Sequence, residues 1–455
     1  MNMTKKRYGV EHARRNIKKL TSQPTRIDED SIRSVARYFV ANAHNSLACM
    51  GMCILLSGRS LQLLLSDTVH LRLDPTGNGL LGSTWLFQST VVPLGWRDSF
   101  HHSSKNAFII IPAPFARQLE EIRDSRPAFA EIEKGLKQLL SELSPPHEKI
   151  TLRRLENVIR FEGKRFDLNS FEMDFIQSTD KDVHMQHYYV NFQTKSIREK
   201  HAKYVAWICQ TPEKVGLLEV SGRFGSKWAL NAKGVKKAFS FITEQLEDSI
   251  EFNRPQALFT WYSAYILQLL QLLTLHRPCE SPFKKLDRFT DDYEYLQITD
   301  KGPSSTRIIP LGKLGKTVVS EYVQFLTLLA SKIALRSPEI AEGIQAILRS
   351  KKPLFHSWRG KDFSPVTESY LKNLFRDDLP LPLNWHRHTL ATELVNRGVC
   401  RHKIAAYMGH HRPLEHSFSR FSCASFEWLY EVRDEIEMVV HEFSVPLIRV
   451  NQVFQ

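Results

Sequence analysis

Apolar positions at Val35, Tyr38, Phe39, Leu47 and Ile54 recur at helical spacing, which predicts helix from residue 28 to about 65, with Ser31 as its cap. Strand-like runs follow at 69–73 and 108–111, the second ending at Pro112 and Pro114 before a charged helix at about 115–123. From about 127 to 210 the pattern is mainly helical and richly charged, broken at Ser144-Pro145-Pro146-His147 and carrying basic clusters at Arg153-Arg154 and 195–203. From about 212 onward helices dominate again, with a strand-turn-strand at 295–311. The expected fold is therefore α+β and mainly helical. Three regions are expected: an N-terminal α/β region at 1–125 without an assigned role, a helical domain at 126–211 and a larger domain at 212–455. Leu55-Leu56-Ser57-Gly58-Arg59 faintly echoes Leu273-Thr274-Leu275-His276-Arg277. One partial match without a fixed short period reads as the ordinary order of helix, turn, strand and proline rather than as a repeat.

Charge narrows the partners. The 455 residues include 62 Lys and Arg against 49 Asp and Glu, a net charge of +13, and a basic chain of this kind suits nucleic acid or an anionic membrane surface. The longest apolar stretch, 257–275, is interrupted by Trp261, Tyr262, Ser263 and glutamines, so no membrane span is expected. The first twenty residues are basic without a following apolar core, unlike a secretory signal, and a cytoplasmic protein is expected. Cys49, Cys53, Cys209, Cys279, Cys400 and Cys423 lack CxxC spacing and read as reduced structural thiols. Neither a metal nor a cofactor is expected.

Cutting and rejoining a DNA strand without metal requires a covalent nucleophile, cations on the non-bridging phosphate oxygens, and an acid for the departing 5′ oxygen. Arginine suits the second task, because its planar guanidinium stays charged and grips two oxygens at once. Four stretches meet this requirement in order. An apolar helix ends in Leu275-His276-Arg277-Pro278; a hairpin follows with Asp300-Lys301-Gly302 and Arg307-Ile308-Ile309-Pro310; then come Asn384-Trp385-His386-Arg387-His388-Thr389 and Met408-Gly409-His410.

Together these stretches resemble the catalytic domain of the tyrosine recombinases (phage-integrase family), over roughly residues 212 to 440. The resemblance implies a recombinase-like catalytic domain preceded by a helical DNA-clasping domain at 126–211. It makes Arg277 and Arg387 phosphate clamps, His410 a hydrogen-bond donor to the scissile phosphate, His388 a supporting residue, and Lys301 the acid for the leaving oxygen or a base contact beside the cut. Duplex DNA is the implied partner, bound by a homo-multimer and, where other recombinase subunits take part, beside them.

Two departures matter. Asn384 stands where the family commonly has histidine; asparagine can donate to phosphate but cannot exchange a proton near neutral pH. The family places its tyrosine shortly after the Gly-His pair, where this chain has Phe418 and Phe421, and phenylalanine cannot form a phosphotyrosine. Tyr430 is the next candidate nucleophile. The first reading is a site-specific recombinase or integrase, encoded by a mobile element, acting through a 3′-phosphotyrosyl bond. The second is a non-catalytic DNA-binding accessory protein on the same fold.

Overall fold

Asn45 and Gly58 bound an apolar segment and set the first core. The Asn45 side chain accepts from the backbone N–H of Leu47 and Ala48, Gly58 closes the helix in the left-handed conformation, and every residue from Ala48 to Ser57 is buried. The computed structural model describes residues 26–75, 77–84, 94–102, 106–178, 189–210, 222–278, 281–299, 306–376, 378–409 and 425–454. The chain gathers into two compact units, the first built from residues 1–88, 102–183 and 193–224, the second from 89–101, 184–192 and 225–455. It is mainly helical with small antiparallel sheets.

In the first unit, α1 (Glu29–Ala41), α2 (Ser46–Ser57) and α3 (Leu61–Leu64) replace the single helical run expected from 28 to 65. The cap is Asp28, whose carboxylate accepts from Ser31 N at 2.9 Å; Ser31 lies inside the helix. An antiparallel sheet follows in the order β1 (Val69–Leu73), β2 (Gly79–Thr84), β3 (Asn106–Ile111), with Leu71 opposite Leu81 and Leu81 opposite Ile109. Then come α4 (Ala113–Ser125), α5 (Phe129–Leu143), α6 (Leu152–Glu156), α7 (Val158–Glu162), α8 (Ser170–Gln177) and α9 (Thr194–Cys209). The buried helix α2 touches α1, α4, α5, α6, α7 and α9, so helices from both sides of residue 125 share one core.

The second unit is organised around another buried apolar helix. It contains α10 (Ala232–Glu251), α11 (Pro255–Thr274), the hairpin β4 (Tyr295–Thr299) and β5 (Thr306–Pro310), α12 (Lys313–Ile333), α13 (Pro338–Leu348), the hairpin β6 (His356–Arg359) and β7 (Asp362–Pro365), α14 (Glu368–Phe375), α15 (Trp385–Asn396), α16 (Arg401–Tyr407) and α17 (Glu427–Glu442). Helix α11 is buried almost throughout and touches α10, α12, α15, α17 and β6. Helix α17 turns Val432, Ile436, Val439 and Val440 inward, and its Glu437 accepts from Leu314 N at 2.7 Å, meeting the N-terminus of α12 with a carboxylate. Among the described residues no helix is long and apolar enough to cross a membrane.

Candidate functional site

Helix α11 ends because Leu275 takes the left-handed conformation (φ 52°) without glycine, and Thr274 supports the turn. The Thr274 hydroxyl donates to Leu270 O at 2.6 Å and accepts from His276 N at 3.3 Å. His276 is buried against the Phe283 ring, its Nε2 accepting from Phe283 N at 3.3 Å. Arg277 is half-buried where the chain leaves this turn. The last carbonyls of any helix lack intrahelical donors, and those at this end take some of theirs from distant side chains.

Helix α15 supplies one. Asn384 occupies its N-cap position, half-buried and making no side-chain cap bond; its carbonyl accepts from Arg387 N at 3.0 Å. The next five residues are all buried. Trp385 Nε1 donates to Gln268 at 3.1 Å, and the His386 ring stacks on Trp385. Burial pushes the His386 pKa down to about 3, so that ring is neutral at neutral pH. Arg387 is 0% exposed: its guanidinium donates to Leu275 O and, at 2.9 Å, to Met408 O, and lies over the Tyr189 ring at 5.2 Å. His388 shares a 2.7 Å hydrogen bond between its Nδ1 and the Ser226 hydroxyl, with its ring 4.7 Å from that of Tyr189.

The fourth stretch approaches from α16. The Tyr407 hydroxyl donates to Leu273 O (3.2 Å) and Pro310 O (3.4 Å), joining the end of α11 to β5. Gly409 is left-handed (φ 67°), and a Cβ there would lie 2.6 Å from Arg307 Nη1. Arg307 donates from Nε to Tyr407 O at 2.9 Å. Arg387 therefore joins the segment carrying Arg277 to the segment entering His410. No protein-family model, curated protein or solved structure matches the chain.

Lys301, His410, Phe418 and Phe421 lie outside the described residues. Tyr430 sits on the first turn of α17, half-buried, with its hydroxyl 2.6 Å from that of Tyr295 on β4. Phe426 packs against both rings, and the Arg433 guanidinium lies 4.7 Å from the Tyr430 ring centre. The hydrogen bond to Tyr430 is the main cause raising the pKa of Tyr295.

Sequence reasoning quoted Arg307 within a strand ending in proline but gave it no role. The available signal was its alternation with Ile308 and Ile309. Ile309 is buried and Ile308 exposed, whereas Arg307 reaches Tyr407 and Gly409. Tyr295 and Tyr189 were also missed, because their partners are remote in sequence.

Proposed function

We propose that the chain binds duplex DNA through a site of tyrosine-recombinase type and works as a non-cleaving accessory protein beside an active recombinase. The arrangement around Arg387 carries this reading. Its guanidinium is wholly buried and serves backbone carbonyls, in a position that brings the Arg277 and Met408 segments together while keeping its own charge from solvent. Phenylalanine at the family's tyrosine slots agrees with a retained architecture lacking its nucleophile. Arg277 and His410 would then hold a phosphate that is not cut, and the protein would act as one subunit of a multimer on DNA.

A second reading rests on Tyr430, whose hydroxyl is already paired with that of Tyr295. In it the Tyr430 oxygen attacks the scissile phosphorus, a 3′-phosphotyrosyl bond forms as the bond to the 5′ oxygen breaks, and Lys301 protonates that oxygen while the Tyr430 proton is lost to water. A nicked suicide substrate separates the two. The accessory reading expects salt-sensitive DNA binding and no covalent protein–DNA band after denaturation. A band lost in Tyr430→Phe would overturn it in favour of strand transfer.

A further inference from the structure

A second basic feature lies beside the candidate site. Helix α10 opens with Lys233, Lys236 and Lys237 exposed on adjoining positions of one face, and its acidic residues begin only at Glu244. The first turn is fixed onto the 3-10 turn Leu94–Ser99: a Cβ on Gly234 would lie 2.1 Å from Ser99 O, Asn231 N donates to Ser99 O at 3.0 Å, and Asn231 Nδ2 donates to Asp98 O at 2.9 Å. Lys237 is committed to this junction, its ammonium 4.5 Å from the Trp96 ring centre and donating to Gly95 O at 2.7 Å. Exposed Arg97 and half-buried Lys227 extend the patch, with Asp98 as the single carboxylate in these two stretches. Among the described residues Lys227, Lys233, Lys236 and Arg97 form no ion pair. In the first unit, by contrast, Arg26, Arg33 and Arg165 are paired with Glu29 and Glu162.

The patch is anchored to the Arg387 helix. Between Ser226 and Asn231 the chain makes the Ser226–His388 bond and a bond from Leu230 N to the Thr389 hydroxyl at 3.0 Å. We propose that Lys233 and Lys236, with Arg97 and Lys227, form a contact surface for the phosphodiester backbone of duplex DNA flanking the phosphate held at the candidate site, an inference that rests on the DNA-binding reading. Uncompensated lysines on a rigid support suit backbone contacts that position a duplex without reading its bases.

The test is the salt dependence of duplex binding by the full chain. Each phosphate contact contributes a slope of roughly 0.9 in log affinity against log salt, so Lys233→Ala/Lys236→Ala should lower the slope by about 2 and weaken binding roughly 10- to 100-fold at low salt. Lys233→Arg/Lys236→Arg should restore both. Lys351→Ala/Lys361→Ala, which removes two exposed lysines elsewhere, should leave the slope unchanged. Equal weakening by this control pair, or an unchanged slope in the first, overturns the surface while leaving the DNA reading intact. Wild-type protein without salt-sensitive duplex binding overturns the reading itself. A single-stranded RNA of equal charge that displaces the duplex at equal concentration assigns the patch to RNA and overturns the proposal.

Discussion

The ends of α2 and α11, one in each unit, solve the same local problem with different chemistry. Each is a buried apolar helix closed by a left-handed residue, Gly58 in one and Leu275 in the other. Each has a hydroxyl just before it, from Ser57 or Thr274, donating at 2.6 Å to the carbonyl four residues back and accepting from the N–H two residues on. Carbonyls of both ends are then met by side chains from distant helices. In the first unit one amide, Gln177 Nε2, donates to Gly58 O at 3.1 Å and Glu156 O at 2.9 Å; in the second, Arg387 donates to Leu275 O and Met408 O. His201 donates to Leu56 O where Tyr407 donates to Leu273 O. The lesson is that a neutral amide suffices for the structural task. At the second end the same task is met by a buried guanidinium, Arg387, in place of an amide.

The largest expected effect separates donor from charge. Arg387→Ala leaves two buried carbonyls without that donor and should cost about 3 kcal/mol. Arg387→Gln copies the first unit's solution and should recover at least half of that loss in urea unfolding. Equal destabilisation by both variants would break the parallel between the two helix ends.

Acid should then distinguish the two helix ends at their matching positions by about 2 kcal/mol at pH 5, while the acid dependence of the second unit comes from buried His386 and His356, whose pKa values lie at about 3 and about 4. Burial lowers the pKa of His201 to about 4, against about 6.5 in an unfolded chain. The unfolded state therefore takes up its proton first as pH falls. The stabilisation is complete above about 6.5 and is lost progressively towards pH 4. Tyr407, at the matching place, is raised by burial and adds no acid dependence. Amide protection in α2 and α9 should weaken between pH 7 and 5, and His201→Gln should flatten that dependence. Unaltered protection in the wild type would remove the contrast. A smaller but similar loss, about 1–2 kcal/mol, is expected in thermal unfolding for Gly58→Ala: the new Cβ would meet Gln177 Nε2 at 2.5 Å in a backbone conformation that L-residues resist.

Much of this architecture was legible in the chain. The strand at Val69–Leu73, the hairpin within 295–311 and the helix before Arg277 follow from alternation, proline and apolar runs. The helical pattern at 28–65 was legible as a whole but left undivided, because its breaks lie in the caps Asn45, Gly58 and Ser60 rather than in the apolar periodicity. The echo between the two helix ends was visible but misaligned by one residue: geometry matches Gly58 with Leu275, whereas the arginines had drawn Arg59 towards Arg277. Long-range partners such as Tyr189, Tyr295 and Arg307 left no periodic signal. At the site, residue types showed where cations gather but not that Arg387 is wholly enclosed, since burial of an arginine depends on carbonyls brought in from other segments.

The smallest expected effect tests whether the shared hydroxyl is part of the design at both ends. Thr274→Val keeps the side chain's shape but removes its donation to Leu270 O and its acceptance from His276 N. Ser57→Ala removes the same two bonds at the end of α2. Each should cost about 1 kcal/mol in urea unfolding, the ordinary net worth of such hydrogen bonds. The two sites lie in different cores, so the double variant should lose about the sum. If Thr274→Val is neutral while Ser57→Ala is costly, the turn before Arg277 is held by its remote donors alone. The likeness of the helix ends would then reflect two separate ways of stopping an apolar helix, and Arg387 would carry the stability of its turn as well as its charge.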